Sequence, residues 1–240
     1  IDSARERYME YCLGTIPSEL RLDGMKIVLD CSNGAAYKIG PRVLSALGAN
    51  VIPIGCSPNG RNINDGCGST QPQLLQQTVQ GVGADLGIAL DGDGDRVIMV
   101  DAEGELVDGD RLIYIVAMGR HREGTLKGPV VGTVMSNLGL ERRLGELDIP
   151  FLRAKVGDRY VMDELRRNGG LIGGESSGHI ICLDRSTSGD GLVSALQLLQ
   201  IICETGKPLR ELAADMPLYP QVLLNVRVAE RVDVDSIEAV

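Results

Sequence analysis

The chain has 240 residues and a formal net charge of −9, so it lacks the basic character that nonspecific nucleic-acid binding requires. Hydrophobic residues make up 43% of the chain and aromatic residues only 3%, which predicts an aliphatic core in a layered α/β protein. Apolar runs are too short for a membrane span and the six cysteines include no Cys-x-x-Cys pair, so we expect a cytoplasmic protein with free thiols and no membrane partner.

The first half of the chain alternates strand and helix patterns. Three short buried strands are predicted, at residues 25–30, 49–55 and 84–90. Helices are predicted where apolar side chains recur at helical spacing, at residues 1–12, 33–48 and 71–83. Residues 96–107 indicate two further strands joined around Glu103 and Gly104. This order predicts an α/β domain over residues 1–107.

The alternation starts again near residue 108, which predicts a second α/β domain over residues 108–220. Its strands are predicted at 128–136, 149–154, 171–174 and 179–183. Its helices are predicted at 108–119, 137–147, 157–169 and 188–206. A strand pattern at 219–230 predicts that residues 221–240 begin a further, incomplete unit. The predicted fold class is therefore α/β, with two similar layered domains whose mixed sheets are covered by helices.

Three aspartates alternate with glycine directly after the third predicted strand. Asp91, Asp93 and Asp95 would point to the same side of an extended backbone, where their charges repel. A bound Mg²⁺ would offset that repulsion, because it prefers hard carboxylate oxygens and keeps open positions for phosphate. A calcium-binding EF-hand is excluded, because its sixth and twelfth positions would be Arg96 and Ala102. A phosphatase with an aspartyl nucleophile and a solvated acidic turn remain as alternatives.

Two basic residues are candidates for contact with phosphate. Arg96 follows the aspartates directly, where a guanidinium can clamp a phosphoryl group or simply neutralise its acidic neighbours. Lys155 lies between a predicted strand and a predicted helix, and the backbone amides that follow it can hold an anion at the helix start. The alternative for Lys155 is an ordinary surface lysine.

A second polar loop, GGESSGH at residues 173–179, lies between two predicted strands. It offers a carboxylate, hydroxyls and an imidazole from Glu175, Ser176, Ser177 and His179. These groups suit the hydroxyls of a sugar, although an ordinary hairpin turn and a structural histidine are the simpler alternatives.

These motifs together resemble the α-D-phosphohexomutases. The resemblance is carried by DGDGDR at 91–96, KVGD at 155–158 and GESSGH at 174–179, in this order. NINDGCGSTQP at 62–72 and KVGDRYV are more particularly similar to the bacterial phosphoglucosamine mutases. That family has four domains, so the resemblance implies that this chain holds the second and third with the start of the fourth. The chain also begins without Met and closes on an incomplete helical pattern, and we expect a segment of a longer protein.

The resemblance implies a role for each candidate residue. Asp91, Asp93 and Asp95 would bind Mg²⁺, and Arg96 would act beside them at the transferring phosphate. Sugar recognition would fall to three residues of the second loop and one further contact, namely Glu175, Ser177, His179 and Lys155. The implied reaction interconverts glucosamine 6-phosphate and glucosamine 1-phosphate through a phosphoserine and a bisphosphate. A phosphomannomutase or phosphoglucomutase of the same superfamily, and a noncatalytic sugar-phosphate binding module, remain as alternatives.

Two parts of the family pattern are absent from the 240 residues. The phosphoserine segment, T-R-x-S-G or T-R-x-S-A, is missing, and so is the phosphate-binding loop of the fourth domain. DRSTSGDG at 184–191 has the wrong spacing, and we interpret its Ser188 as a helix cap. The resemblance therefore implies that the catalytic serine comes from another domain of the same protein and that this chain alone is inactive.

Overall fold

The computed structural model describes residues 3–222 and 224, which form two α/β units, each built on one mixed sheet. The first sheet has the strand order β2-β1-β3-β4-β5. Its strands are β1 (Lys26–Asp30), β2 (Asn50–Ile54), β3 (Leu86–Leu90), β4 (Val97–Asp101) and β5 (Leu106–Val107). Strand β1 is parallel to β2 and β3, whereas β4 is antiparallel to β3 and β5. The predicted fold class is confirmed.

The central strands of this sheet are buried on both faces. Ile27 and Leu29 of β1 pack into one aliphatic cluster, whereas Val28 between them packs into a second cluster on the opposite face. This alternation follows from the two-residue period of a strand, and it explains why the sequence shows continuous apolar runs instead of polar alternation. Helices α2 (Ile39–Ala46) and α3 (Gln73–Val82) cover the sheet, and α1 (Ala4–Leu13) packs against α2.

The single helix predicted over residues 33–48 is wrong at its start. The structure has a 3₁₀ turn over Ala35–Tyr37 and then α2 from Ile39. Proline is tolerated only in the first turn of an α-helix, and Pro41 therefore fixes the start of α2 close to Ile39.

The second sheet repeats the strand order of the first, as β7-β6-β8-β9. Its strands are β6 (Val130–Thr133), β7 (Phe151–Ala154), β8 (Ile172–Gly174) and β9 (Ile180–Cys182). Its helices are α4 (Gly109–Arg122), α5 (Leu138–Gly145), α6 (Asp158–Asn168), α7 (Gly191–Thr205) and α8 (Leu209–Ala214). Helix α8 was not predicted. In both sheets the third strand is parallel to the first and the fourth is antiparallel to the third.

The interpretation of Ser188 as a helix cap is wrong. Helix α7 begins at Gly191, and its cap is Asp190, whose Oδ1 accepts hydrogen bonds of 3.0 Å from the amides of Leu192 and Val193. A carboxylate at this position satisfies two amides and also complements the helix dipole, which a serine hydroxyl does less well.

The strand predicted over 219–230 lies largely outside the described residues, and 219–222 are not in a strand. Among the residues that the structure describes, no helix has the length and apolar character to cross a membrane.

Candidate functional site

The three aspartates converge at the hairpin between β3 and β4. One carboxylate oxygen from each of Asp91, Asp93 and Asp95 lies within 4.8 Å of the other two. Asp91 is buried and Asp93 is exposed, so the cluster opens to solvent on one side. The backbone is not extended as predicted, because residues 92–94 form bends and Gly94 has a φ of +80°. Folding of the loop, and not strand alternation, brings these carboxylates together.

Hydrogen bonds fix this metal loop, residues 91–96, from within and from both units. Asp91 Oδ1 accepts from the amides of Gly94 at 3.2 Å and Arg96 at 3.1 Å. The amide of Ala35, in the first unit, donates to Gly92 O at 2.8 Å. The amide of Gly191, at the start of α7, donates to Gly94 O at 2.8 Å. These hydrogen bonds connect the loop to both units.

Two glycines at the metal loop, Gly34 and Gly92, are closely packed against their neighbours. A Cβ atom at Gly34 would lie 2.2 Å from Gly92 O, and a Cβ atom at Gly92 would lie 2.5 Å from Ile63 Cδ1. Real Cβ atoms do not approach backbone atoms this closely, so a larger residue at Gly34 would displace the loop, whereas at Gly92 the side chains of Ile63 and Asn64 would have to move. The polar segment that contains Ile63, part of NINDGCGSTQP, thus packs directly against the metal loop.

Asp30 anchors that polar segment and was not singled out from the sequence. It is fully buried at the end of β1, and its two oxygens accept from Ser32 N at 2.8 Å and Gly68 N at 2.7 Å. Ser32 Oγ donates in turn to Asn64 Oδ1 at 2.6 Å. A lone aspartate at the end of an apolar strand is a signal that sequence reasoning could have used.

The electrostatics of the metal loop favour a cation. Burial raises the pKa of Asp91 to about 6, a hydrogen bond from the Arg96 amide opposes this shift, and the charge of Asp95 adds to it. The Arg96 Nε lies 3.8 Å from Asp91 and 3.9 Å from Asp95, too far for a hydrogen bond. Asp95 Oδ1 is buried without a hydrogen-bond partner among the described residues. These carboxylates thus repel one another without full compensation, which is the arrangement that a hard divalent cation fits.

The sugar loop, residues 175–179, is the corresponding hairpin of the second sheet, between β8 and β9. Its turn is closed by a hydrogen bond from Gly178 N to Glu175 O at 2.9 Å. Val97, the first residue of β4, donates from its amide to Gly178 O at 2.9 Å. The amide of Gly109, at the start of α4, donates to Ser176 O at 3.0 Å. The two hairpins therefore form one continuous surface.

His179 links the two loops through its side chain. It is 6% exposed, and its Nδ1 lies 3.2 Å from Asp95 Oδ2. The histidine therefore contacts a carboxylate of the metal loop in addition to any ligand. Its predicted role in reading a sugar ring stays a prediction.

Glu175, Ser177 and Lys155 lie on the more exposed side of the sugar loop. Glu175 Oε1 accepts from Gly157 N at 2.8 Å, and Ser177 Oγ donates to Glu175 Oε2 at 3.4 Å. Lys155 is exposed at the end of β7, two residues before that amide. Within this unit, Glu175 engages the Gly157 amide, which was predicted to be available for an anion. The structure brings the Lys155 segment and the sugar loop together, and the roles of these residues stay predictions.

A tyrosine and an aspartate support the metal loop from behind. Tyr8 Oη of α1 donates to the carboxylate of Asp190 at 2.9 and 3.0 Å, although the two residues are 182 positions apart. Asp190 caps α7, whose first residue, Gly191, donates to Gly94 in the metal loop. Neither residue was singled out from the sequence. An aspartate just before a long apolar helix is a capping signal that could have identified Asp190.

A groove of about 430 Å³ opens beside the metal loop, between α1, residues 35–39 and the start of α7. Asp93 and Asp95 line one side of it, and the basic side chains Arg5 and Lys38 lie among its other lining residues. The groove therefore opens onto the two more exposed carboxylates of the metal loop.

Each of the two units matches a protein-family model. Residues 6–104 match the model of the phosphoglucomutase/phosphomannomutase alpha/beta/alpha domain II. Residues 108–219 match the model of alpha/beta/alpha domain III of the same family.

A curated relative is similar over almost the whole chain. It is named phosphoglucosamine mutase, from Methylobacillus flagellatus, and is 57% identical over 236 residues. The match covers 98% of this chain and 52% of the relative. The chain thus spans about half the length of the curated relatives it matches.

Solved structures share the fold. A phosphoglucomutase/phosphomannomutase family protein from Burkholderia thailandensis is 27% identical, with a TM-score of 0.76, over 89% of this chain and 46% of that one. N-acetylphosphoglucosamine mutase from Aspergillus fumigatus, solved in complex with GlcNAc-6P and magnesium, is 21% identical. It has a TM-score of 0.77 over 95% of this chain and 52% of that one, which shows the fold alone.

Proposed function

The chain belongs to the phosphoglucomutase/phosphomannomutase family, and from this membership we propose that it carries the metal-binding and sugar-binding loops of a phosphoglucosamine mutase. The choice of glucosamine phosphate rests on the 57% identity to a protein of that name. The proposed reaction interconverts glucosamine 6-phosphate and glucosamine 1-phosphate. It proceeds through a phosphoserine and a bisphosphate, and the serine belongs to a part of the protein other than these 240 residues.

Asp91, Asp93 and Asp95 are the proposed ligands of Mg²⁺. The fit rests on three carboxylates whose oxygens lie within 4.8 Å of one another and on the unpartnered Asp95 Oδ1. A Mg²⁺ ion held by these residues would supply positive charge that offsets the negative charge of a phosphoryl group. The exposed Asp93 faces the groove through which a phosphoryl group reaches the loop.

The chain's own residues bind and orient the reactants in this proposal. Arg96 adds a positive charge beside the aspartates and can turn its guanidinium to a phosphoryl oxygen, since it makes no close ion pair with any described residue. Glu175 and Ser177 receive sugar hydroxyls, and Lys155 lies beside them on the segment that Glu175 holds. Contact between Val97 and Gly178 keeps the two loops at a fixed separation, which limits the orientations of the bound sugar.

The single observation that carries the proposal is the junction of the two loops. The His179 contact with Asp95 and the Val97 hydrogen bond to Gly178 support the proposal, because they join the carboxylate cluster to the polar hairpin at residues 175–179. A solvated acidic turn does not need such a junction. An aspartyl phosphatase would use Asp91 as nucleophile, but Asp91 is buried and its Oδ1 is engaged by two backbone amides.

The test compares a longer protein, in which a T-R-x-S-G segment precedes this chain, with the 240 residues alone. Both are supplied with Mg²⁺, glucosamine 6-phosphate and a catalytic amount of glucosamine 1,6-bisphosphate. We expect the longer protein to form glucosamine 1-phosphate and the chain alone to be inactive, because it lacks a phosphoryl donor. Faster turnover of glucose or mannose 6-phosphate by the longer protein would reject glucosamine as the substrate. Turnover by the chain alone would reject a serine from elsewhere.

A further inference from the structure

Two cysteines lie at the ends of neighbouring parallel strands. Asp30 of β1 and Ile54 of β2 are the last residues in register, Cys31 follows the first and Cys56 lies two residues after the second. The amide of Cys31 donates to Ile54 O at 3.1 Å, and Cys56 Sγ donates to the same oxygen at 3.3 Å. Both cysteines therefore contact the same carbonyl oxygen at the end of β2.

The two side chains also lie on the same face of the sheet. Both pack against the aliphatic cluster that contains Leu29, on the side that α2 covers. After the last residue pair of β1 and β2, Asn33 N donates to Gly55 O at 2.6 Å, so the segments that carry the two cysteines stay in contact. Cys31 is fully buried, whereas Cys56 is half-buried and in reach of a small solute.

The two thiols are chemically different. A hydrogen bond from the Cys31 thiol lowers the pKa of Cys56, and the same hydrogen bond raises the pKa of Cys31. Burial raises the pKa of Cys203, which is half-buried like Cys56 and serves as a comparison. Burial also raises the pKa of Cys67, whose Sγ accepts from Asn33 Nδ2 at 3.5 Å. Cys56 is therefore the thiol most ready to react, with a second sulfur beside it.

We propose that Cys31 and Cys56 form an oxidisable dithiol, in which Cys56 reacts with a hydroperoxide and Cys31 then closes a disulfide. The site is separate from the metal and sugar loops and goes beyond the mutase function.

The chemistry balances with a hydroperoxide as the oxidant. The Cys56 thiolate attacks the outer oxygen, the O–O bond breaks, and the products are a sulfenic acid on Cys56 and an alcohol, or water when the oxidant is hydrogen peroxide. The Cys31 sulfur then attacks Cys56 and displaces hydroxide, which leaves as water with the Cys31 proton. Two thiols lose two electrons in total, and the peroxide bond gains them.

The test treats the metal-free chain with hydrogen peroxide and maps its disulfides by mass spectrometry. We expect the loss of two hydrogen atoms and a peptide pair that joins Cys31 to Cys56. Cys31→Ser should keep a sulfenic acid on Cys56 that dimedone traps, and Cys56→Ser should abolish the pair. The control Cys203→Ser should form the disulfide at the rate of the parent chain.

A measurement on the unaltered chain keeps the proposal testable if a variant fails to fold. Brief alkylation of the native chain with iodoacetamide should label Cys56 at least about fivefold faster than Cys203, because nucleophilic reactivity depends on the thiolate fraction. Equal labelling of Cys56 and Cys203, a disulfide that joins Cys56 to Cys67, or peroxide oxidation without an internal disulfide would each overturn the proposal.

Discussion

The metal loop and the sugar loop occupy the same place in two sheets of the same strand order, yet they are built differently. Each is the hairpin between the third strand, which is parallel to the first, and the fourth, which is antiparallel. The metal loop concentrates three carboxylates, one of which has its pKa raised to about 6 by burial. The sugar loop holds its one carboxylate, Glu175, by hydrogen bonds to Gly157 and Ser177.

The difference indicates how one position in a fold could serve the two kinds of ligand proposed for it. In the metal loop the carboxylates are left without sufficient positive charge, which a bound cation can supply. In the sugar loop the polar groups already have partners, which suits recognition by exchange of hydrogen bonds with sugar hydroxyls. Substitutions in the metal loop should therefore change ion binding most, whereas those in the sugar loop should change substrate recognition most.

The largest expected effect is the loss of metal affinity in Asp93→Asn. Asp93 is the exposed carboxylate, so the amide removes a ligand charge with little disturbance of the fold. We expect Mg²⁺ and Mn²⁺ to bind at least about thirtyfold more weakly, or ~2 kcal/mol, by calorimetry. Asp65→Asn, at an exposed aspartate outside the cluster, is the matched control. Equal affinity in Asp93→Asn and the parent chain would remove Asp93 from the metal site.

The next effect is on substrate recognition, in Glu175→Ala of the longer protein. We expect kcat/KM to fall by about tenfold, or ~1.4 kcal/mol, while Mg²⁺ affinity stays unchanged. Ser176→Ala is the control, since the carbonyl of Ser176, and not its side chain, bonds to Gly109. A large fall in melting temperature with unchanged kinetics would show that Glu175 serves only to hold Gly157 in place.

The third effect is a pH dependence of stability that belongs to the metal loop. Because the folded pKa of Asp91 is raised from 3.8 to about 6, protonation stabilises the metal-free fold, and this contribution is lost as pH rises through 6. Between pH 4 and pH 7.5 the parent chain should lose ~1–2 kcal/mol more unfolding free energy than Asp91→Asn.

Urea unfolding in EDTA measures this difference. Burial also raises the pKa of Asp110 to about 6, and Asp110 contributes equally to both proteins, so it cancels. Parallel pH profiles of the parent chain and Asp91→Asn would contradict the raised pKa.

The smallest expected effect comes from Tyr8→Phe, behind the metal loop. Removing the hydroxyl deletes the hydrogen bonds to Asp190 and leaves this capping residue free to move. The amide of Gly191, which donates to Gly94 O in the metal loop, would then be held less firmly. We expect Mg²⁺ affinity to fall about threefold, or ~0.6 kcal/mol. Tyr11→Phe is the control, because the hydroxyl of Tyr11, on the same helix, donates to Arg185 O and not to Asp190. An equal response of the two variants would show that Tyr8 has no specific role.

The sequence predicted most of the fold and the two loops, for a physical reason. Buried strands and helix periods are local patterns, and the loops carry unusual local clusters of polar residues, such as Asp91 to Asp95. The hydrogen bonds that hold the loops in place join residues that are far apart in the sequence. Tyr8 and Asp190 are 182 positions apart in the sequence, and Ser32 and Asn64 are 32 positions apart. No local sequence pattern indicates that either pair forms a hydrogen bond.

Local rules failed at three particular points. Pro41 shortened a helix at its start, Asp190 replaced Ser188 as a cap, and the bends around Gly94 replaced the extended backbone expected for the aspartates. In each case the conformational or capping preference of one residue, namely Pro41, Asp190 or Gly94, outweighed the pattern of the surrounding segment. The helix at Leu209–Ala214 was missed because its six residues are too few for a clear periodic pattern.

The most direct test of the central claim, that the two loops form one site, is phosphorus relaxation of glucosamine 6-phosphate in the presence of Mn²⁺. A paramagnetic ion in the metal loop should speed relaxation of a sugar phosphate bound at the sugar loop, even when that binding is weak. We expect a clear enhancement with the parent chain, little with Asp93→Asn, and a reduced one with Glu175→Ala at equal Mn²⁺ occupancy. The same enhancement for the parent chain and both variants would contradict a shared site.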